Sequence, residues 1–402
     1  MRIAMVGASL SIRGGITSVE KLILENCPPQ VTIIHLPTFD HGSLAHNTVL
    51  YWKSITRLTR YLVCGSIDVV HIHFSDRGSM IRKLIPCLLA WCFRRPFILH
   101  SHCAFHREFY AVIPGMVRMA ISFVFRQCTT FISLSKNWDE YFSDCLRLRS
   151  EQRVVLYNPV LFPRSVPDRS SRATVAFVFL GAIGSRHGIN GSPGRKTGQG
   201  ARRLPGQDKG CFDCIKALAL LPDAVRAQSR MLIAGDGDIP AADALVKDLG
   251  MEDRIIIYQW LSSQQRDHLL RMADAFLLPS YNEGLPMSML EAMAFALPVV
   301  VTPVGGIPEI VSPGQEGLFV DPGNPAKLAQ AMEFLVVDPK ARRKMGAVGR
   351  RRVEELRIDK YVQRLVSVYN LSIARSREGL CFSDLHSCKI TTEPTYRPNT
   401  RN

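Results

Sequence analysis

Two glutamates eight residues apart, Glu283 and Glu291, lie in the stretch LLPSYNEGLPMSMLEAMAFALPVVVT. Leu278 is expected to end a strand, and Pro279 to Gly284 to form a loop. Pro286 suits the first turn of a helix running to about Phe295, before Pro298 opens the next strand. That arrangement puts Glu283 just ahead of a helix start and Glu291 within the helix. Exposed amides and the positive end of the helix dipole make such a start a phosphate site. A carboxylate beside a diphosphate repels it unless neutral hydroxyls donate hydrogen bonds to that carboxylate. Riboses and sugars carry such hydroxyls, so the pattern suits a sugar nucleotide better than a bare nucleotide. Read alone, the two glutamates are equally a helix cap and a surface charge.

The elements around this stretch alternate between short apolar runs and helical patterns, as in parallel α/β proteins. RIAMVG, VTIIHL, DVVHIH, PFILH, TTFISL and RVVLYN form a first set of strands. TVAFVFL, RMLIAG, RIIIYQ, AFLLP, PVVVT and GLFV form a second. Runs apolar throughout fit parallel strands covered on both faces. At 402 residues the chain is long enough for two cores. We expect a Rossmann-like domain over 1–165, a second over 172–350, a helix over 351–374 and a disordered tail over 375–402. Two such sheets in tandem are expected to face each other across a cleft, with ligands outside the carboxyl ends of the strands. The segment 187–208, HGINGSPGRKTGQGARRLPGQD, has six glycines and two prolines and reads as a flexible insert. Its Gly-Arg-Lys-Thr run lacks the contiguous Gly-Lys-Thr of a phosphate-binding loop.

The helix-start stretch resembles the Glu-x7-Glu motif of glycosyltransferase family 4, the retaining group with the GT-B fold. GDGD from Gly235, TPVGGIPEIV from Thr302 and EGLFVDPG from Glu316 are similar to the same family. The likeness spans about 1–372 and is strongest over 210–335. It implies that Glu283 holds donor-sugar hydroxyls, that Glu291 holds the ribose, and that the backbone of Gly284 and Leu285 contacts sugar and phosphate. It also implies two cations over the diphosphate, where they neutralise charge on the leaving nucleotide. FLGAIGSR supplies Arg186; the insert then intervenes, and Lys209 opens KGCFDCIKALALLP. Lys209 is therefore the candidate phosphate lysine and His187 its substitute. Gly14 and Gly15, in the turn after the first strand, are expected to let backbone approach donor phosphate or acceptor. His102, in HSHCAFHREF, takes the position of a family histidine facing the donor sugar, with Cys103 where glycine is usual. The polar segment HFSDRGSMIRK from His73 is expected to face the acceptor.

The activity so implied is retaining, metal-independent transfer of a sugar from a nucleotide-diphosphate sugar to a hydroxyl acceptor, in polysaccharide or glycolipid synthesis. A sugar-nucleotide epimerase and a basic binding protein are the alternatives. No cofactor is expected, the nucleotide sugar being a substrate. Asp236 and Asp238 resemble a metal-chelating Asp-x-Asp but fall in a strand-to-helix turn, and His71 and His73 are not expected to converge easily on one ion, so no metal is assigned. Cys211 and Cys214 have C-x-x-C spacing without a second pair, which reads as core thiols. The net charge is +15, of which residues 1–160 carry +8 (18 basic less 10 acidic). No nucleic-acid-binding signature accompanies it, and an anionic membrane surface and a lipid-linked acceptor are the expected partners. The helix over Val49 to Val63, with Trp52, Lys53, Arg57 and Arg60, is the expected contact. No signal peptide or spanning segment is read, so the expected location is cytoplasmic, peripheral at the inner face of the membrane.

Overall fold

A computed structural model describes residues 1–169, 172–184 and 209–378. Arg186, His187, the 187–208 insert and the tail from 379 lie outside the described residues. The chain packs as two compact units, one of 1–103, 112–157 and the final helix, the other of 104–111 and 158–357.

The first unit is built on β1 (Arg2–Gly7), β2 (Thr32–Pro37), β3 (Val69–Phe74), β4 (Phe97–Ser101), β5 (Thr130–Ser133) and β6 (Arg153–Val155). The second contains β7 (Val175–Leu180), β8 (Ser229–Ala234), β9 (Ile255–Tyr258), β10 (Ala275–Leu278), β11 (Val299–Val301) and β12 (Gly317–Phe319). All pairings between these strands are parallel. Parallel neighbours need crossovers, and the helices that supply them cover both faces, which is why β3, β4, β7 and β10 are buried along their whole length. The two sheets of six strands are the tandem Rossmann-like pair expected from the sequence.

Strand order decides where ligands can sit. The first sheet runs β2-β1-β3-β4-β5-β6, so its order reverses between β1 and β3. The second runs β12-β11-β10-β7-β8-β9 and reverses between β7 and β10. At such a reversal successive crossovers leave on opposite faces, and a crevice opens outside the carboxyl ends of the two central strands.

The last helix, Ile358–Glu378, returns to the first unit. Tyr361, Leu365, Val368 and Tyr369 recur at helical spacing and are all buried. The Tyr369 hydroxyl is 2.8 Å from His71 Nδ1 on β3, and Ser372 Oγ is 2.9 Å from Thr130 Oγ1 on β5. The helix runs four residues past Ala374, where the sequence reading ends it, so residues 375–378 are helical rather than part of a disordered tail. Leu365→Ala is expected to lower unfolding stability by about 2–5 kcal/mol through lost burial and a residual cavity. Chemical denaturation followed by tryptophan fluorescence checks this, and an unchanged midpoint contradicts the packing described.

Candidate active site

The reversal point of the second unit is formed by the end of β10, the loop Pro279 to Pro286 and the helix Met287–Ala294. Pro286 precedes the helix, no side chain caps its start, and its first turn contains no acidic residue. The amide ends there are therefore left for a ligand rather than for a cap.

The loop is held from several sides. Gly210, at φ 79°, brings the chain so close that a Cβ there would meet Pro279 O at 2.4 Å. Gly305, at φ 58°, lies against Glu283, whose carbonyl would stand 1.9 Å from an added Cβ. Only glycine fits both the left-handed conformation and the space at these two positions. Gly306 N–H donates to Gly284 O at 2.7 Å, Asn158 Nδ2 to Leu285 O at 2.7 Å, and Tyr281 OH to Asp213 Oδ2 at 3.2 Å. The Thr302 hydroxyl donates to Ser280 O. A loop with this many anchors keeps its side chains in place before any ligand arrives.

Glu283 is buried, with Oε1 accepting from Ser280 Oγ at 2.8 Å and pairing with Lys209 Nζ at 2.7 Å. The sequence reading brings these two residues together through a diphosphate; the structure joins them directly. A buried carboxylate needs such a partner, since an unpaired one costs several kcal/mol. Glu291 lies on the helix with Oε2 3.0 Å from Arg266 Nε, a partner without a sequence signature. Burial raises the Glu291 carboxyl to about 6, and the Arg266 charge opposes that rise.

Asp238 caps the helix Ile239–Asp248, Oδ1 accepting from Ala241 N–H at 3.2 Å. Its own N–H donates to Ile183 O at 2.6 Å, and Asp236 O accepts from Ile183 N–H at 2.8 Å. The Gly-Asp-Gly-Asp run thus builds a capped strand-to-helix turn. Cys211 and Cys214 are buried free thiols on the helix Cys211–Ala219.

In the first unit His71, His73, His100 and His102 form a cluster on β3 and at the end of β4. The expectation that His71 and His73 diverge is overturned, because residues two apart on a strand share a face. Their ring centroids are 4.2 Å apart. One ring nitrogen from each of His71, His73 and His100 lies within 4.8 Å of the others. The rings also stack, His71 on His100 with planes 5° apart and His73 on His102 with planes 15° apart. His71 Nε2 is 3.3 Å from His100 Nδ1, and His73 Nδ1 is 2.9 Å from His102 Nε2. Burial lowers all four, His71 and His102 to about 3, so they are neutral at physiological pH.

Gly14 and Gly15 line a pocket of about 370 Å³ at the reversal between β1 and β3, together with His73, Arg82 and Lys83. His102 does not line it; its side chain reaches His73, which does.

Residues 202–352 match the family model described as "Glycosyl transferases group 1". An N-acetyl-alpha-D-glucosaminyl L-malate synthase of Bacillus anthracis is 34% identical over 160 residues, 39% of this chain and 41% of that one. A D-inositol 3-phosphate glycosyltransferase of Corynebacterium efficiens is 35% identical over 144 residues, 34% of each chain. The chain thus spans between about a third and two fifths of the length of the curated relatives it matches. Among solved structures, Anabaena Alr3699/HepE in complex with UDP-glucose superposes with a TM-score of 0.70 at 15% identity, covering 92% of this chain and 99% of that one. A sucrose-phosphate synthase from Thermosynechococcus elongatus gives 0.70 at 18%, covering 93% and 99%. These likenesses extend the GT-B fold over both units, and residues 202–352 are similar to the group 1 glycosyl transferases.

Proposed function

We propose that the chain transfers a glycosyl group from a nucleotide-diphosphate sugar to a hydroxyl acceptor, with retention at the anomeric carbon. The observation that carries this reading is the Lys209–Glu283–Ser280 cluster beside the uncapped start of Met287–Ala294. The diphosphate takes Lys209 and the helix start, and Glu283, released from Lys209, accepts hydrogen bonds from sugar hydroxyls. Glu291 accepts from the ribose. Arg186 is the second phosphate cation in this reading. Cleavage leaves charge on the departing nucleotide, and fixed cations and amides stabilise that charge without reorganising. UDP is the first donor nucleotide to try, since the HepE structures contain UDP and UDP-glucose. The epimerase alternative has no supporting observation.

Glu291→Ala is expected to weaken UDP binding by about 1–3 kcal/mol, the scale of a charge-assisted hydrogen bond. Glu283→Ala is expected to remove most turnover while leaving UDP affinity near the wild-type value. Because the Glu291 carboxyl is raised to about 6, its charged fraction falls as pH drops through 6. UDP affinity is expected to fall over that window in the wild type and to stay flat in Glu291→Gln. Calorimetry between pH 5 and 8 reads both effects; an unchanged Glu291→Ala affinity rejects the assignment.

We further propose that transfer requires no divalent ion, the cations and amides above serving the diphosphate. The imidazole cluster takes no metal role in this reading: both nitrogens of His71 and one each of His73, His100 and His102 are bonded within the cluster or to Tyr369. Transfer is expected to persist in excess EDTA. Loss of transfer, restored by manganese or magnesium, overturns this.

The first unit is the proposed contact with anionic membrane. No described helix is long and apolar enough to cross a bilayer. The helix Gly115–Phe125 buries Ile121, Val124 and Phe125, but leaves Met116, Met119 and Phe123 exposed. Trp91, itself exposed, meets Phe123 edge to face at 5.9 Å. Arg94, Arg95, Arg118 and Arg126 flank these residues in sequence. An apolar face with basic neighbours matches the chemistry of a surface-lying helix, and it joins Val49 to Val63, where Val49, Trp52 and Val63 are also exposed, as a proposed contact. The double variant Met116→Asp, Met119→Asp is expected to lose most sedimentation with phosphatidylglycerol vesicles. Equal sedimentation of both proteins, or none by the wild type, rejects the surface.

A further inference from the structure

The pocket at the reversal between β1 and β3 has walls made largely of two helix starts. Gly14 to Thr17 lead into the helix Gly15–Asn26, and Gly78 and Ser79 begin the helix Gly78–Cys92. No side chain caps either start, and neither first turn contains an acidic residue. Two positive dipole ends with their amides therefore face one space.

Three cationic side chains line the same space: Arg13, Arg82 and Lys83. Lys83 is 2% exposed, and its ammonium donates to Val6 O at 3.3 Å, to Gly7 O at 3.0 Å and to the Thr38 hydroxyl. Burial lowers it to about 7, with Glu20 favouring its charged form. The Arg82 guanidinium lies over the Phe39 ring at 4.8 Å, and its buried Nε has no hydrogen-bond partner among the described residues. Asp76 is the one carboxylate in the lining, and its side chain is hydrogen-bonded with Cys103.

His73 supplies an independent observation. It is 1% exposed and lines the pocket, and its Nε2 is buried without a partner among the described residues, while Nδ1 is taken by His102. A buried polar atom without a partner, on a residue that lines a cationic pocket, points to a ligand that completes it.

We infer that this pocket binds a phosphate-type anion carried by the acceptor, held by Arg13, Arg82 and the two helix starts, with Lys83, whose three N–H donors are already used, adding only its charge. The attribution to the acceptor rests on the transferase reading, in which the donor diphosphate has its own cations and helix start on the second unit. The volume leaves room beyond one phosphate for the organic group that bears it.

The test titrates the full chain with glycerol 1-phosphate and with glycerol, in saturating UDP. Glycerol 1-phosphate is expected to bind and glycerol not to bind. Arg82→Gln is expected to weaken glycerol 1-phosphate at least tenfold while leaving UDP affinity unchanged. Arg82 is used because it is only partly buried, whereas Lys83 substitutions threaten the fold. Phosphate binding that is unchanged in both Arg82→Gln and Arg13→Gln overturns the inference. So does competition with UDP, or a loss in Lys209→Ala instead, either of which moves the anion to the donor site. Failure of UDP to bind rejects the transferase reading alone, since the phosphate arm is then read without UDP. Vesicles containing phosphatidic acid separate the two sources of the anion. Recruitment that Arg82→Gln reduces marks a lipid-borne phosphate. Recruitment equal in both proteins, with soluble binding intact in the wild type, marks a soluble one.

Discussion

Parallel pairing forces every strand of a sheet to end on the same edge, and every crossover helix to begin there. This is the constraint from which both candidate sites follow. Helix starts carry amides without intrahelical partners and a partial positive charge, so that edge is electropositive before any side chain is added. Where strand order reverses, neighbouring crossovers part and the edge opens. The reversals fall between β7 and β10 in one unit and between β1 and β3 in the other. Glu283 and Lys209 gather at the first, and Arg13, Arg82, Lys83 and His73 at the second. Residues far apart in sequence meet there because backbone topology leaves them one place to converge.

An electropositive edge binds anions loosely unless its geometry is fixed. In the second unit the fixing is done by close backbone contact. Gly210 lets Lys209 sit beside Pro279, and Gly305 lets the following loop back Glu283 directly. Either position with a side chain would push the loop away and separate Lys209 from Glu283. The ion pair at 2.7 Å therefore depends on two glycines that carry no chemistry of their own. Ser280, bonded to Glu283 by its hydroxyl and to Thr302 by its carbonyl, completes the support. The pair also keeps each charge satisfied, so a ligand exchanges one set of partners for another and leaves no charge stranded.

Much of this was legible in the residues. The twelve strands appear as apolar runs because both sheet faces are covered, and the helix at Met287 appears through Pro286 and the loop before it. The family pattern put Lys209 over the donor diphosphate once the insert was set aside, but its direct ion pair with Glu283 was not read. Strand order has no signature in local sequence, so the convergence of Arg13 with Arg82 and Lys83, about 70 positions apart by residue number, could not be read. The HFSDRGSMIRK segment was recognised as polar and as a helix start, yet its cations gain meaning only when β1 lies beside β3. Arg266 was missed for the same reason, its link to Glu291 being a matter of which helices pack together. The final helix reads as amphipathic, but its return to the first unit depends on contacts with β3 and β5 that its own sequence does not encode.

The histidine cluster shows how burial converts a titratable residue into a structural and directional one. Four imidazoles in the interior cannot all be charged; burial lowers every one of them, and repulsion between the rings adds to it for His71, His73 and His100. A neutral imidazole has one donor and one acceptor nitrogen, so each hydrogen bond fixes the tautomer of its neighbour. Between His73 Nδ1 and His102 Nε2 only one proton is shared. When His102 donates it, His73, which lines the pocket, keeps its proton on Nε2, the atom without a partner among the described residues. His73 then offers a neutral N–H donor to an anion beside the cations of Arg82 and Lys83. When His73 donates instead, Nε2 presents a lone pair, which an anion repels and a hydroxyl satisfies. The anion in the pocket therefore selects the first tautomer, and His102 influences the site through His73 without touching what is bound there.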